Sequence, residues 1–136
     1  DWHPEDSKHF EKWPKHCIKN TKGAAFHPGL EEDIIDQVFF KGTGKQDDGY
    51  SAFEATNMNP EEYLKTKNIT ELYVCGLTTE YCVKETALTS VEKGFKTFAV
   101  QDAIEGVRQN EDDVEKAFGE MKEKGVQIIY SGEVKK

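Results

Sequence analysis

Cys82 is the residue of this sequence best placed for nucleophilic chemistry. It follows a glycine-led turn, residues 76–81, and lies just inside the start of a predicted helix. The dipole and the free N–H groups of a helix N-terminus favour a thiolate over a thiol. The same turn would expose backbone N–H groups beside the sulfur, as an oxyanion hole requires. A small buried helix residue is the alternative explanation of a single cysteine, and both explanations stay open at this point.

The histidines form a second group with chemical potential, because all four precede residue 29. Asp1, His3, His9 and His16 provide three imidazoles and one carboxylate. Such a ligand set suits zinc or iron and leaves coordination positions for water or substrate. Polar residues of an irregular loop are the alternative, and the clustering favours a metal site. His27 is expected to be structural.

The remaining titratable and thiol side chains carry weaker signals. Lys41 closes an apolar run, and from this residue alone we expect a surface lysine rather than a desolvated one paired with a carboxylate. Cys75 lies inside an apolar run and is expected to pack, whereas Cys17 follows a histidine in a loop and both roles stay open. Three acidic pairs are expected to be solvated charges or helix caps: Glu31 with Glu32, Asp47 with Asp48, and Asp112 with Asp113.

Alternating strand and helix patterns occupy residues 34–130 and would position these groups, whereas residues 1–30 read as a loop region. Runs of β-branched and aromatic residues predict strands at 34–40, 71–76, 96–100 and 126–130. Helical periodicity and glycine stops predict helices at 60–65, 80–93 and 111–124, the first capped by Asn59. This alternation predicts an α/β domain with a mostly parallel sheet. Functional residues of such sheets lie beyond the carboxyl ends of the strands, where Lys41 and residues 76–82 are expected.

Length and composition limit the classes of function. The 136 residues are enough for one domain, and 18 basic against 26 acidic residues give a net charge of -8, which argues against a nucleic-acid partner. No apolar run approaches the ~20 residues of a membrane span, and no signal-peptide pattern opens the chain. Three cysteines without a C-x-x-C pair indicate a reducing, cytoplasmic setting.

Several stretches together resemble the nicotinamidase branch of the isochorismatase-like cysteine hydrolases. The matching stretches are D-W-H-P-x-x-x-x-H-F (1–10), W-P-K-H-C-x-x-x-T-x-G-A-x-F-H-P (13–28), F-F-K-G (39–42), G-Y-S-A-F-E (49–54), C-G-L-T-T-E-Y-C-V-K-x-T-A (75–87) and D-A-I (102–104). They cover essentially the whole chain in the family's order. The resemblance implies a three-layer sandwich, in which helices flank a mostly parallel sheet. The metal loop is the feature that separates nicotinamidases from isochorismatases.

The resemblance also implies roles for individual residues. Cys82 would be the nucleophile and Lys41 its charge partner, while the backbone N–H groups of Thr78 and Cys82 would form the oxyanion hole. The family's unusual cis peptide bond would fall between Leu77 and Thr78. The implied activity is hydrolysis of nicotinamide to nicotinate and ammonia through a thioester, in NAD salvage, by an enzyme that in this family is often a homo-oligomer.

The metal and substrate residues follow from the same resemblance. The ligands would be Asp1, His3 and His16, with His9 as a fourth that varies among relatives. Zinc is the expected ion, with iron and manganese as alternatives, and it would hold the pyridine nitrogen of nicotinamide. Trp13 would stack on the ring and Tyr50 would line the pocket.

One catalytic group of the family has no counterpart in this sequence. The family carries a general acid/base aspartate at the end of its first strand, ahead of the D-x-H motif that begins here at Asp1. We therefore expect one domain, residues 1–136, that lacks an N-terminal β-α-β portion of ~45 residues. The low mean hydropathy, -0.75, fits that expectation. The alternatives are a hydrolase of another small amide and a non-catalytic relative that binds metal or ligand.

Overall fold

A computed structural model describes residues 1–135. The N-terminal part is irregular and contains four short 3₁₀ helices, at Lys8–Glu11, Lys22–Ala24, Glu32–Ile34 and Ala52–Glu54. Backbone hydrogen bonds fasten its first residues to the segment after residue 40. Trp2 N donates to Lys41 O at 3.0 Å, and Lys8 N donates to Lys45 O at 2.8 Å.

A parallel three-stranded sheet and three α-helices form the rest of the described chain. The strands are β1 (Glu71–Leu77), β2 (Lys96–Glu105) and β3 (Gln127–Ile129), in the order β1-β2-β3. The helices are α1 (Pro60–Thr66), α2 (Lys84–Glu92) and α3 (Asp113–Glu123). The predicted α/β class with a parallel sheet and accompanying helices is confirmed.

Local sequence signals set the limits of the helices. The side chain of Asn59 accepts a hydrogen bond from Glu62 N at 3.2 Å, and Pro60 occupies the first turn of α1, where a missing N–H costs nothing. Gly94 and Gly125 follow α2 and α3 with φ of +88° and +102°. Only glycine adopts this left-handed region without strain, so these residues end the helices as predicted.

The core lies between the helices and one face of the sheet. Four fully or almost fully buried residues form its centre, Ala87, Ala99, Met121 and Val126, and five partly buried residues pack around them: Val74, Leu88, Val91, Phe118 and Ile128. Ser90 of α2 and Thr97 of β2 are both buried, and their hydroxyl oxygens lie 2.6 Å apart. This contact joins α2 to the middle strand beside the core.

The prediction of a strand at residues 34–40 is wrong. Residues 35–40 form no ladder, and their backbone groups bond to residues 56–57 instead. Phe40 N donates to Asn57 Oδ1 at 2.8 Å, and Asn57 Nδ2 donates to Val38 O at 2.9 Å. The β-branched and aromatic residues favour extended backbone locally. A strand also needs a neighbouring strand, and none within residues 1–135 pairs with this segment.

Two further predictions need correction. Cys75 was expected to pack in a buried strand, but β1 is an edge strand of the described sheet and this thiol is exposed. The helix predicted at 80–93 begins with a π-helical turn, Thr79–Val83, and α2 continues from Lys84.

Among residues 1–135, no helix combines the length and hydropathy needed to cross a bilayer.

Candidate active site

The turn that follows β1 carries the candidate nucleophile. The peptide bond between Leu77 and Thr78 is cis, which confirms that expectation, and the π-helical turn begins at the next residue. Thr78 O accepts hydrogen bonds from Tyr81 N and Val83 N, each at 3.1 Å. These bonds close the turn tightly and bring Cys82 to the carboxyl end of β1, the edge at which parallel sheets carry their functional residues.

Lys41 contacts Cys82 directly. Its Nζ lies 3.1 Å from Cys82 Sγ, donates to Gly49 O at 2.7 Å and forms an ion pair with the carboxylate of Asp1. The side chain is only 14% exposed, so the surface lysine expected from the residue alone is wrong. An ammonium group at this distance stabilises a thiolate electrostatically. The structure thus brings together the two residues that the family resemblance had named as catalytic.

Three histidines and one aspartate converge beside this pair. Ligand atoms of His3, His9 and His16 all lie within 4.8 Å of one another. Asp1 Oδ2 lies 3.7 Å from Nε2 of His3 and 3.8 Å from Nε2 of His16. The three imidazoles therefore converge on one point, and Asp1 lies beside two of them, an arrangement that suits a mononuclear metal site.

Each of the three imidazoles is oriented by a contact to its Nδ1 atom. The partners are Gly42 O for His3 at 2.8 Å, Pro14 O for His16 at 2.7 Å, and Asp48 Oδ1 for His9 at 2.7 Å. Contacts of this kind fix the ring orientation and leave Nε2 for a metal ion.

The clearest sign of a metal site is the second ring nitrogen of His3. This side chain is fully buried, and Nε2 has no hydrogen-bond partner within the described chain. Buried polar atoms are nearly always paired, so such an atom calls for a ligand. Gly42 permits the burial: its φ is +67°, and a Cβ atom there would lie 2.3 Å from Cε1 of His3. The donor set therefore fits a divalent cation.

Burial also keeps two of these imidazoles, those of His3 and His9, in the form that binds metals. It lowers the pKa of His3 to about 4, from an ordinary value of 6.5. Burial lowers the pKa of His9 as well, although the hydrogen bond to Asp48 opposes it. Hydrogen bonds from Lys12 and His9 hold the pKa of Asp48 below its ordinary value. At neutral pH the site therefore presents the neutral imidazoles of His3 and His9 next to the ionised carboxylate of Asp48.

A cavity of about 440 Å³ opens over the thiol and the histidines. One wall is aromatic: Trp13 Nε1 donates to Tyr50 Oη at 3.0 Å, and the rings of Trp13 and Tyr81 meet edge to face at 4.7 Å. Thr78, Cys82 and Val107 line it as well, together with three of the metal-ligand candidates: Asp1, His9 and His16. Aromatic side chains thus line a cavity that also contains Cys82.

The sequence reasoning missed three of the residues found here. Asp48, expected to be a solvated charge, lines the cavity and bonds to His9, 39 residues away in the chain. Tyr81, Val107 and Cys17 also line the cavity, but no role had been predicted for the first two. Tyr81 lies inside a matched motif and Asp48 immediately precedes another, which is the only signal that could have pointed to them.

Comparisons with known proteins agree with this geometry. A model of the isochorismatase domain matches residues 2–133. The nicotinamidase of Escherichia coli (strain K12) is 33% identical over an alignment of 151 positions, which covers 94% of this chain and 71% of that protein. The structure of a pyrazinamidase of Pyrococcus horikoshii in complex with zinc is similar at 37% identity and a TM-score of 0.84, covering 96% of this chain and 72% of its own. PnC1 from L. infantum in complex with nicotinate is similar at 31% identity and a TM-score of 0.89, covering 97% of this chain and 69% of its own. The chain belongs to the isochorismatase domain family.

Proposed function

We propose that this protein is a metal-dependent cysteine amidase that hydrolyses nicotinamide to nicotinate and ammonia, as a step of NAD salvage. The observation that carries the proposal is the contact of 3.1 Å between Lys41 Nζ and Cys82 Sγ, in a cavity that also receives the histidine cluster. Relatives that bear the name nicotinamidase, and a similar structure that holds nicotinate, support the choice of substrate.

The first half of the reaction forms a thioester. Cys82 Sγ bonds to the carboxamide carbon, and the electron pair of the carbonyl moves to its oxygen. Backbone N–H groups of Thr78 and Cys82 then stabilise the oxyanion. Collapse of this intermediate breaks the carbon–nitrogen bond, and the proton lost by the thiol ends on the departing ammonia. The family resemblance assigns the transfer of that proton to an aspartate ahead of the position of Asp1.

The second half returns the free enzyme. Water adds to the thioester carbon, the carbon–sulfur bond breaks, and nicotinate leaves as the sulfur regains a proton. Lys41 stays beside the sulfur in both halves and balances its negative charge. Because a thiolate is itself a strong nucleophile, the reaction needs no metal-bound hydroxide.

Asp1, His3, His9 and His16 would hold the metal ion, with zinc the expected ion and iron or manganese the alternatives. When bound, the ion supplies a Lewis acid that holds the pyridine nitrogen. Trp13 and Tyr50 orient the ring by stacking and by excluding water from its faces. This division of labour predicts that an aliphatic amide without a ring is a poor substrate.

The test is ammonia release from nicotinamide by the purified, zinc-loaded protein and by a Cys82→Ala variant. We expect the variant to lose activity by about 10³-fold or more, because it removes the thiol that lies 3.1 Å from Lys41 Nζ. Cys75→Ala is the matched control, since this thiol is exposed on β1 and does not line the cavity. If the protein is isolated with residues ahead of Asp1, the same variants are assayed in that form.

The outcome separates the competing functions. Turnover of nicotinamide that survives in Cys82→Ala would exclude the cysteine mechanism. Faster hydrolysis of an aliphatic amide than of nicotinamide would favour another small amide as substrate. Binding of zinc without any amide hydrolysis would favour a non-catalytic relative.

A further inference from the structure

Glu80 is a buried carboxylate that the proposed reaction does not use. It belongs to the π-helical turn, between Thr78 and Cys82, and is only 9% exposed. Its Oε1 accepts hydrogen bonds from two backbone N–H groups of the segment that follows β2. The donors are Val107 N and, at 3.3 Å, Arg108 N. We call residues 106–109 the wall segment.

The neighbouring residue adds a second connection to the wall segment. Tyr81 Oη donates to Gln109 Oε1 at 3.0 Å. Two consecutive residues of the turn that carries Cys82 therefore hold the same short stretch of chain. The stretch contains no regular secondary structure, so these contacts, rather than a helix or a strand, set its position.

The wall segment approaches Glu80 as closely as a backbone can. A Cβ atom on Gly106 would lie 2.3 Å from Glu80 Oε2 and 2.3 Å from Val114 Cγ2. Any larger residue at this position would push the carboxylate or α3 away. The glycine thus permits the contact between Glu80 and the backbone of the next two residues.

Stability alone does not explain a buried carboxylate at this place. Glu80 Oε2 is buried and has no hydrogen-bond partner among residues 1–135. Burying such an atom without a partner costs free energy. Proteins leave buried polar atoms unpaired mainly at functional sites, where the position of a residue matters more than its contribution to stability.

The wall segment reaches the cavity through Val107. This residue lines the cavity, and 44% of its surface is exposed. Its N–H is one of the two groups that Glu80 holds. We call the π-helical turn Thr79–Val83, which carries Cys82, the nucleophile turn. A shift of the wall segment would therefore widen the space between Val107 and the nucleophile turn.

We propose that Glu80 is a positioning residue that holds Val107 against the cavity and so sets the affinity for the aromatic ring of the substrate. The inference rests on the proposed function for the identity of that substrate. Glu80 acts through the wall segment and takes no part in the chemistry at Cys82. Its loss weakens binding equally in the ground state and in the transition state, because the wall contacts the ring rather than the reacting carbon.

The kinetic test compares Glu80→Ala and Glu80→Gln with a matched control, Glu115→Ala. Glu115 pairs with the side chain of Arg108 on the exposed side of the same segment, at 3.3 Å. We expect Glu80→Ala to raise KM for nicotinamide by about tenfold while kcat stays within about threefold. Glu80→Gln should keep most of the affinity, since its amide oxygen can accept the same N–H groups. Glu115→Ala should behave as the parent protein.

A merely structural role predicts a different result. A destabilised variant contains less active protein, which lowers the apparent kcat and leaves KM unchanged. That pattern in Glu80→Ala, or an equal rise of KM in Glu115→Ala, would overturn the proposal. Gly106→Ala is a second variant that displaces the segment from the other side, and it should raise KM as well.

Amide hydrogen exchange provides a readout that needs no turnover. We expect the N–H groups of Val107 and Arg108 to exchange about tenfold faster or more in Glu80→Ala, and at the parent rate in Glu115→Ala. Unchanged exchange would show that Glu80 does not hold the segment. Should the parent protein fail to hydrolyse nicotinamide, the proposed function fails, and the exchange rates alone then decide whether Glu80 holds the wall.

Discussion

The ammonium group of Lys41 makes three contacts, and the one to Cys82 Sγ has the most direct chemical consequence. Lys41→Met keeps the length of the side chain and removes the charge. We expect alkylation of Cys82 by iodoacetamide at neutral pH to slow by about tenfold or more, because the thiolate loses its counter-charge. Amidase activity should fall at least as far. The measurement is mass spectrometry of the modified peptide over time.

Two internal comparisons make that result specific. The exposed thiol of Cys75 in the same sample should react at an unchanged rate. Lys45→Met removes an exposed lysine whose Nζ pairs with Asp6 at 2.7 Å, and it should alter neither rate. Equal alkylation of Cys82 in Lys41→Met and in the parent protein would show that the ammonium group does not activate the thiol.

Asp48 contacts one of the proposed metal ligands, His9. Its contact of 2.7 Å with His9 Nδ1 orients that ring, and Lys12 holds the carboxylate from the outside at 2.8 Å. We expect Asp48→Asn to weaken zinc binding by about 10- to 100-fold, the usual effect of losing such a partner. Competition with a chromophoric chelator measures the affinity. The adjacent exposed Asp47 gives the control, Asp47→Asn, and an equal loss there would contradict the role of Asp48.

At the scale of single residues, the sequence named groups that lie together in the structure wherever a motif carried the information. The nucleophile turn and the D-x-H loop pointed to Cys82 and to the histidines, and the structure brings these groups together. Spacing alone did not reveal Asp48 or Glu80, because their partners lie 39 and 27 residues away. Contacts of that range depend on how loops cross in space. The sequence between the two partners does not indicate that they are in contact.

At the scale of elements, α3 depends on a methionine for its packing. Met121 is fully buried in the centre of the core, against Ala87 of α2 and Ala99 of β2. We expect Met121→Ala to lower the free energy of unfolding by about 2–5 kcal/mol, through lost burial and the cavity left behind. Denaturant unfolding gives the value. Lys122→Ala, one residue further along the helix and exposed, should change it little.

The kinetic constants of Met121→Ala test whether α3 also affects the cavity. Met121 does not line the cavity, so the folded fraction of Met121→Ala should keep the parent KM for nicotinamide. A cost below about 1 kcal/mol would show that α3 packs loosely and contributes little to the core. A raised KM would show that α3 controls the position of the cavity wall.

Helices and strands were predictable to the extent that their causes are local. The apolar face of α3 and the glycine that ends it are both visible in the sequence, and both were found. The strand expected at 34–40 failed, because strand formation needs a pairing neighbour as well as suitable residues. The π-helical turn at Thr79–Val83 was also missed. A periodicity of 3.6 residues predicts the helix but cannot tell whether its first turn has α-helical or π-helical hydrogen bonds.

At the scale of the whole molecule, the candidate site joins three parts of the chain. The proposed metal ligands come from the irregular N-terminal part, Lys41 and Asp48 from the segment after residue 40, and Cys82 from the turn after β1. Only the last of these belongs to the sheet and helices. The site therefore depends on how the irregular N-terminal part is held against the sheet. The burial of its imidazoles can be measured, and it reports on whether this part is in place.

Stability against acid reports on that burial. Burial lowers the pKa of His3 to about 4, whereas the unfolded chain takes up a proton at an ordinary value of 6.5. Below pH 6.5 the unfolded state therefore binds a proton that the folded state does not, and the free energy of unfolding falls until about pH 4. For the chelator-treated protein we expect His3 to contribute roughly 1–3 kcal/mol to this fall. Burial of His9 adds to it in the same direction.

Urea unfolding at a series of pH values between 7.5 and 5, with chelator present throughout, isolates the contribution of the histidines from that of the carboxylates. The readout is the slope of the unfolding free energy against pH, so a variant of lower overall stability remains informative. His3→Gln should flatten the slope, because it removes the group whose protonation differs between the folded and unfolded states. His27→Gln, a change at an exposed histidine, should leave the slope as it is. If His3→Gln and the parent protein showed the same slope, His3 would not be buried as a neutral imidazole, and the N-terminal part would not be held closed over the site in solution.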